Sequence, residues 1–373
     1  MSLDEVTLSR RRRVKKLINK YGDAWIIISP DPNYEYVVGI QPHGFSIAFV
    51  TKEKIIGIVG SLEADMMSEY FDEIHVFKQF HDVIYLLSKL ISSEKCKKIL
   101  ANFASIRKIY ASKLPLHWYK LLESLTRLYD IELISAADFI FELRSIKTEE
   151  ELKALEDSVK ITLDIISEVK PIIKPGVTER FIAAKLYEKL YEYGEPSFKP
   201  IVAFGEHTSR EHHLPTDKKL RQGEVIYIDV GLKYRGMCSD ITRFYVTEKR
   251  KEYADAYNAV KAAQDEAIKN AKAGVTGEFL YNIARDTLTK HGYDPELFTH
   301  SLGHALGIEV HDIGERLGKK GGKLLPNTCF TVEPALYFKK LEPKWGVRLE
   351  DDIIILENTC KRLSASPEEV PQI

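Results

Sequence analysis

The sequence lacks the marks of a secreted, membrane-spanning or cysteine-zinc protein. Its 373 residues include only four cysteines, none of them in a CxxC pair or another zinc-type spacing, which argues against a disulfide scaffold and a cysteine zinc site. The chain has no apolar run of about 18 residues, the length that a membrane span needs, and its start lacks the apolar segment of a signal peptide. We therefore expect a cytoplasmic protein with reduced cysteines.

Charge is abundant but balanced. The chain has 54 Lys plus Arg and 55 Asp plus Glu, a net charge of −1, so no global field favours a nucleic acid or a membrane surface as partner. The basic run Arg10–Lys16 stands in a helical pattern with Val14 and Leu17 on the apolar side, and we interpret it as a solvated helix face. Only five glutamines occur, and a charge-rich, amide-poor balance is typical of heat-adapted proteins.

A change of pattern near residue 143 predicts two domains. Residues 1–142 interleave helical and strand patterns, including a buried strand over 25–30 and a hairpin over 45–60, which predicts an α/β domain. Beyond them, Thr148 and Glu151 form a capping box at the start of a long helix that ends before Pro171. The second domain then comprises residues 143–373.

Two aspartates stand inside strongly β-forming runs of the second domain. Asp229 belongs to the first run and Asp240 precedes the second. A turn centred on Tyr234 and Arg235 would place the two aspartates directly opposite each other, with Cβ atoms roughly 5 Å apart. Tyr-Arg is a poor sequence for such a turn, so a longer, bulged loop stays an alternative. Carboxylates so close repel each other, which indicates a bound divalent cation.

The second domain contains an internal repeat. The segment 175–194 matches 273–292, each copy with a Gly-x-Thr helix entry and a final glycine placed as a C-cap. Further on, 220–229 matches 324–333, and this second match aligns Asp229 with Glu333. A later acidic strand supplies Glu350, two residues after Arg348 and on the same face. We expect two related halves about a pseudo-twofold axis, each contributing two carboxylates to one cleft.

Histidines lie between and before these acids. The segment 298–317 contains His300, His304 and His311, but its HSLGH lacks the glutamate of the zincin motif HExxH, and its glycines weaken a helix. Beside four carboxylates, one of these histidines is expected to be an imidazole ligand. A loop with His207, His212 and His213 precedes the first acidic strand, a usual position for groups that contact a substrate.

These motifs together resemble a known family. The set IDVG…SDITR, HSLGHALGIEVHD, TVEPALYF and VRLEDD is similar to the pita-bread metallopeptidases, and within them to the Xaa-Pro dipeptidases (prolidases) and aminopeptidases P. The resemblance covers the whole chain. It implies an α/β N-terminal creatinase-type domain followed by an α+β pita-bread domain with an internal pseudo-twofold duplication.

The resemblance also implies roles for individual residues. Matched position by position, the metal ligands are Asp229, Asp240, His304, Glu333 and Glu350. Glu333 would in addition move the proton of the attacking water, His212 and His311 would contact the substrate and the tetrahedral intermediate, and Arg348 would support the ligands. The chain departs from the family at Glu211, Ala305 and Ala335, none of which is a ligand.

Four carboxylates balance the charge of two dications, so we expect two divalent metal ions per chain. Oxygen-rich ligands with one imidazole suit Mn²⁺, Co²⁺ or Fe²⁺, and Zn²⁺ is possible. The predicted activity is hydrolysis of the peptide bond before proline in Xaa-Pro dipeptides, a small peptide substrate. The alternatives are an aminopeptidase P that cleaves longer Xaa-Pro-Yaa peptides and a non-catalytic pita-bread interaction module. The resemblance further implies a homodimer, without a nucleic-acid or membrane partner.

Overall fold

The computed structural model describes residues 3–103 and 114–373. The chain divides into two compact units, Met1–Arg144 and Ser145–Ile373. The boundary predicted between residues 142 and 143 lies two residues before this division.

The first unit is built on one mixed six-stranded sheet. Its strand order is β4-β3-β2-β1-β5-β6. The pairs β1–β2 and β2–β3 are antiparallel, and the pairs β3–β4, β1–β5 and β5–β6 are parallel. The predicted hairpin over 45–60 is β2 and β3, in register at Val50 and Ile55. The helices and strands are α1 (Glu5–Leu17), β1 (Ala24–Ile28), α2 (Pro32–Val38), β2 (Ser46–Thr51), β3 (Ile55–Gly60), α3 (Ala64–Ser68), β4 (Glu73–Phe77), α4 (Phe80–Ser93), β5 (Lys98–Ala101), α5 (Leu116–Leu128), β6 (Glu132–Ser135) and α6 (Ala137–Ser145).

The interpretation of Arg10–Lys16 as a solvated face is wrong for two of its arginines. Arg10 and Arg11 are 2% and 7% exposed. The Arg11 guanidinium donates to the carbonyl oxygens of Val37 and Val38 at the end of α2, at 2.8 and 3.1 Å. A planar cation with five donors can satisfy such free helix-end carbonyls, so the residues serve the fold rather than the surface.

The second unit begins with the predicted long helix. Thr148 caps it and forms the expected capping box with Glu151, which accepts from the Thr148 amide at 2.9 Å. The helices and strands are α7 (Glu149–Val169), α8 (Glu179–Leu190), β7 (Glu195–Pro196), β8 (Ile201–Phe204), β9 (Val225–Val230), β10 (Leu232–Tyr234), β11 (Met237–Cys238), β12 (Ile241–Val246), α9 (Lys251–Asn270), α10 (Gly277–Lys290), β13 (Cys329–Val332), β14 (Ala335–Phe338), β15 (Trp345–Arg348), β16 (Asp351–Ile355) and β17 (Cys360–Arg362).

The predicted duplication is confirmed by matched hydrogen bonds. The amide of Gly176 donates to Leu220 O at 2.9 Å, and the amide of Gly274 donates to Leu324 O at the same distance. Both glycines have positive φ, +100° and +86°, which L-residues with side chains rarely adopt. In each half two helices precede an antiparallel strand pair. The strand pair is β9 with β12 in the first half and β13 with β16 in the second.

One detail of the repeat differs from the prediction. Gly292 has φ +86°, as a C-cap glycine should. Gly194 is required for a different reason, because a Cβ there would lie 2.5 Å from Lys233 O.

The predicted register of the aspartate hairpin is wrong by two residues. The turn is centred on Arg235 and Gly236, both with positive φ (49° and 70°), because two left-handed residues match the twist of a hairpin. Asp229 therefore lies opposite Thr242 rather than opposite Asp240. A shift of two residues preserves the face of each side chain, so both aspartates still point to one side and are diagonal neighbours.

Membrane-spanning character and the state of the cysteines can be described from the structure. None of the helices in the described residues combines the length and the apolar character needed to cross a bilayer. The four cysteines form no disulfide, and Cys96, Cys238 and Cys329 are buried.

Candidate metal centre

The two strand pairs of the duplicated unit bring four carboxylates to one place. Asp229 stands near the end of β9, and Asp240 immediately precedes β12. In the second half, Glu333 follows β13 and Glu350 immediately precedes β16. Asp229, Asp240 and Glu350 are 2–6% exposed, so the repeat buries acids at equivalent ends of its strands.

His304 completes this acidic cluster, which we define as Asp229, Asp240, His304, Glu333 and Glu350. Its Nε2 lies 3.4 Å from Asp240 Oδ2 and 3.7 Å from Glu333 Oε1. One ligand atom from each of Asp240, His304 and Glu350 falls within 4.8 Å of the others. The backbone of His304 is fixed beside β13, because its carbonyl accepts from the Thr331 amide at 3.0 Å.

The charges of the cluster are poorly compensated by its own side chains. Burial, followed by repulsion from neighbouring carboxylates, raises the pKa of Asp240 and of Glu350. Burial also raises the pKa of Glu333 to about 8, against the opposing charge of Arg348 and with further repulsion from Asp229. Burial, with His311 adding to it, lowers the pKa of His304 to about 3, so its imidazole is neutral and has a lone pair for a metal.

The donor set fits divalent cations. Asp229 Oδ1 and Asp240 Oδ1 are buried and have no hydrogen-bond partner among the residues that the structure describes. Buried oxygens without a donor are costly, and a hard cation satisfies them while it removes the repulsion between the acids. Four carboxylates and one neutral imidazole are therefore a suitable ligand set for divalent metal.

Arg348 links the cluster to its surroundings. Its guanidinium, 3% exposed, donates to the Asp229 carboxylate and to the hydroxyls of Tyr337 and Thr242, each at 3.1 Å. It also donates to Glu211 O at 3.1 Å. Burial opposes its charge, but Tyr337 and Asp229 raise the pKa of Arg348 above its ordinary value, so it remains a cation.

Thr242 and Tyr337 are site residues that the sequence patterns did not reveal. Thr242 Oγ1 donates to Glu350 Oε2 at 2.6 Å, which orients that carboxylate. The position of Thr242 in its strand could have revealed it, because the correct register places it opposite Asp229 and on the same face as Asp240. Tyr337 lies on β14, which pairs with the strand of Arg348, and its contact with His300, 37 residues away, has no signal in the sequence.

The remaining predicted histidines lie beside the cluster. The ring of His311 meets that of His304 with centroids 4.1 Å apart. Burial and then the neighbouring His212 lower the pKa of His311, and His212 itself is exposed. His300, which was not assigned a role, has Nδ1 3.7 Å from Glu333 Oε2 and Nε2 3.1 Å from the Tyr337 hydroxyl.

A second buried group of a carboxylate and imidazoles lies outside the acidic cluster. It consists of Glu179, His207, His213 and Thr216, which we call the Glu179 cluster. Ligand atoms of its first three members also lie within 4.8 Å of one another. Burial alone would raise the pKa of Glu179, but hydrogen bonds from His213, Thr216 and His207 outweigh it and hold the pKa at about 2.

A duplicated sheet framework around a buried centre of carboxylates and histidine defines a pita-bread metallohydrolase. Residues 153–357 match the model of metallopeptidase family M24. The chain is 32% identical over 372 residues to an Xaa-Pro dipeptidase of Pyrococcus horikoshii, with 96% of this chain and 98% of that protein covered. The chain belongs to metallopeptidase family M24, whose members are metal-dependent.

Solved structures agree with this assignment over the full length. An X-Pro aminopeptidase from Thermotoga maritima superposes with a TM-score of 0.85 at 30% identity and covers 97% of this chain and 100% of that one. A prolidase from Pyrococcus horikoshii superposes with a TM-score of 0.81 at 30% identity, covering 97% and 99%. The expected fold, a mixed α/β N-terminal domain followed by a pita-bread domain, is confirmed.

Proposed function

We propose that this protein is a dinuclear Xaa-Pro dipeptidase, which hydrolyses the peptide bond before proline. The observation that carries the proposal is the acidic cluster, with unpartnered buried oxygens on Asp229 and Asp240. Its support is the full-length similarity to an enzyme named as an Xaa-Pro dipeptidase.

The ligand assignment is part of the proposal. Two divalent ions, Mn²⁺, Co²⁺ or Fe²⁺ and less readily Zn²⁺, would be held by Asp229, Asp240, His304, Glu333 and Glu350. When bound, such ions supply Lewis-acid activation of water near neutral pH. Thr242 and Arg348 orient Glu350 and Asp229 through hydrogen bonds, and fixed ligand carboxylates bind metal better than mobile ones.

Glu333 is the residue proposed to move the proton. Its carboxylate takes the proton of the attacking water and delivers it to the proline nitrogen as the peptide bond breaks. The Glu333 amide donates to Leu302 O at 2.7 Å, which fixes the backbone of Glu333. Thr331 Oγ1 lies 3.4 Å from Glu333 Oε1, beside the carboxylate that would transfer the proton.

His212 and His311 are proposed to face the substrate carbonyl. His311 is neutral at neutral pH because burial and His212 lower its pKa. A neutral imidazole can donate one N–H to the oxygen that gains negative charge as the carbonyl is attacked. His212 is exposed and is close enough to His311 to lower the pKa of that imidazole, and we propose that it positions the peptide.

A second candidate function is that of an aminopeptidase P. Its support is the superposition with the Thermotoga maritima X-Pro aminopeptidase at a TM-score of 0.85. The homodimer and the cytoplasmic location stay predictions.

The deciding experiment compares kcat/KM for Ala-Pro, Leu-Pro, Ala-Pro-Ala and Ala-Ala, with Mn²⁺ or Co²⁺ supplied. We expect rapid cleavage of the two Xaa-Pro dipeptides, weak cleavage of the tripeptide and none of Ala-Ala. Faster cleavage of Ala-Pro-Ala would assign the aminopeptidase function. Folded protein that binds no metal and cleaves none of these peptides would favour the non-catalytic module.

A further inference from the structure

The Glu179 cluster contains a carboxylate that is entirely buried, with 0% exposure. Glu179 is the first residue of α8, yet its side chain leaves the helix and receives five hydrogen bonds. The donors are the Phe204 amide (2.9 Å) and His207 Nδ1 (2.8 Å) on Oε1, and His213 Nε2 (2.9 Å), the Thr216 amide (2.9 Å) and Thr216 Oγ1 (2.7 Å) on Oε2.

The saturation of Glu179 makes this cluster an anchor rather than a metal site. The spacing of Glu179, His207 and His213 would permit a cation. However, both carboxylate oxygens already have their full share of donors, and the two imidazoles point their N–H groups at them. The acidic cluster differs, because Asp229 Oδ1 and Asp240 Oδ1 have no donor within the described part of the chain. A bound cation stabilises buried acceptor oxygens that lack hydrogen-bond donors, and Glu179 has no such oxygen.

The five donors come from the two ends of one loop. Phe204 ends β8, and Thr216 lies beyond the histidines, so Glu179 ties together the two ends of the segment 204–216. His212, proposed to contact the substrate, stands between these ends. The segment has a second attachment on the side of the acidic cluster, where Arg348 donates to Glu211 O at 3.1 Å. The Tyr227 hydroxyl also donates to Arg210 O at 2.5 Å.

The duplication provides an internal comparison. Glu179 corresponds to Gly277 in the second half, and the backbone contacts are the same, because the amides of Glu179 and Gly277 donate to Lys218 O and Gly322 O. A Cβ on Gly277 would lie 2.0 Å from Arg316 O. The helix entry therefore forms without a carboxylate, and the buried acid in the first half needs another reason.

We propose that Glu179 is a positioning residue that holds the segment 204–216 so that His212 faces the metal centre. This inference rests on the proposed function for its effect on catalysis. Its structural half, the fastening of the segment by one carboxylate, is independent of any activity.

The test is Glu179→Gln. The glutamine keeps one acceptor oxygen, but its NH₂ group cannot accept hydrogen bonds from the donors that faced the other oxygen. We expect kcat/KM on Ala-Pro to fall about a hundredfold, as displaced substrate-contacting groups cause, with unchanged metal content. Hydrogen exchange of the Phe204 and Thr216 amides should accelerate. Glu206→Gln, an exposed carboxylate of the same segment, is the matched control and should change neither quantity.

A second pair of variants separates positioning from a general loss of structure. His213→Gln retains a donor for Glu179 and should keep near-normal kcat/KM, whereas His213→Ala should behave as Glu179→Gln does. The proposal is overturned if Glu179→Gln leaves both kcat/KM and the exchange of these amides unchanged. It is also overturned if the purified protein holds an additional metal equivalent that Glu179→Gln removes. If the wild-type protein cleaves no Xaa-Pro peptide, the proposed function fails, and the exchange rates alone decide whether Glu179 holds the segment.

Discussion

Two buried clusters of the second unit combine carboxylates with imidazoles, in opposite proportions. In the acidic cluster four carboxylates share few donors, and burial with mutual repulsion raises the pKa of Asp240 and Glu350. In the Glu179 cluster one carboxylate has five donors, which hold its pKa at about 2 despite burial. In each cluster three side chains place ligand atoms within 4.8 Å of one another. We therefore propose that the balance of donors and acceptors, rather than residue type or spacing, distinguishes the metal centre from the anchor.

The largest expected effect tests the acidic half of this comparison. Asp240→Asn removes one ligand charge and should lower kcat/KM on Ala-Pro by about a thousandfold or more, because activation of water depends on the bound ions. Chelation of the wild-type protein should have the same effect and be reversed by Mn²⁺ or Co²⁺. Asp286→Asn, an exposed aspartate, is the control. Activity that survives both treatments would refute the metal mechanism.

Arg348 distinguishes an oriented cation from a simple charge. Arg348→Lys keeps the charge but cannot serve the Asp229 carboxylate, Tyr337, Thr242 and Glu211 O together. We expect kcat/KM to fall about a hundredfold, with metal still bound. Equal activity of the lysine variant would mean that the charge alone is needed.

Thr242 tests a smaller contribution to the same centre. Thr242→Val removes the hydroxyl that donates to Glu350 Oε2 and should weaken metal affinity about tenfold, as loss of a ligand's hydrogen-bond partner does. Metal titration of the metal-free protein measures this change. Thr289→Val, at an exposed helix position, should not alter affinity. An unchanged affinity in Thr242→Val would show that Glu350 needs no such support.

The smallest effect is on the pH dependence of the free energy of unfolding. The contributions of the two clusters to this free energy should change with pH in opposite directions. In metal-free protein the pKa of Glu333 is raised from 4.5 to about 8, so between these values the folded state retains a proton that the unfolded state releases, and stability falls as pH rises. The pKa of Glu179 is lowered from 4.5 to about 2. Its contribution is present above pH 4.5 and is lost as pH falls towards 2.

Urea unfolding of metal-free protein across this pH range measures both slopes. Glu333→Gln should flatten the decline above pH 4.5, and Glu179→Gln should flatten the decline below it. If either variant has the same slope of unfolding free energy against pH as the wild-type protein, the shifted pKa assigned to that carboxylate is wrong.

Patterns local in sequence predicted most of the fold. The capping box of Thr148 and the acidic strands depend on short patterns that neighbouring residues determine, and the duplication was visible because its two copies keep similar short segments. The hairpin register failed because the turn is set by the left-handed conformation of Arg235 and Gly236, and an arginine gives little sign of that conformation.

The parts of the site that were missed depend on contacts between distant segments. Glu179 reads in sequence only as an acidic first turn of a helix, while its partners His213 and Thr216 are 34 and 37 residues away. Tyr337 similarly contacts His300, which is 37 residues away, and it also contacts Arg348 on the strand that pairs with its own. Asp229 and Asp240 were predicted from the β-forming runs around them, whereas Glu333 and Glu350 were predicted from the internal repeat.

The most direct test is a titration of metal-free protein with Mn²⁺, followed by the number of ions bound per chain. We predict two equivalents for the wild-type protein, at least one fewer for Asp240→Asn, and two for Glu179→Gln. Mn²⁺ binding that is unaffected by Asp240→Asn but lost in Glu179→Gln would contradict the assignment of the acidic cluster as the metal centre.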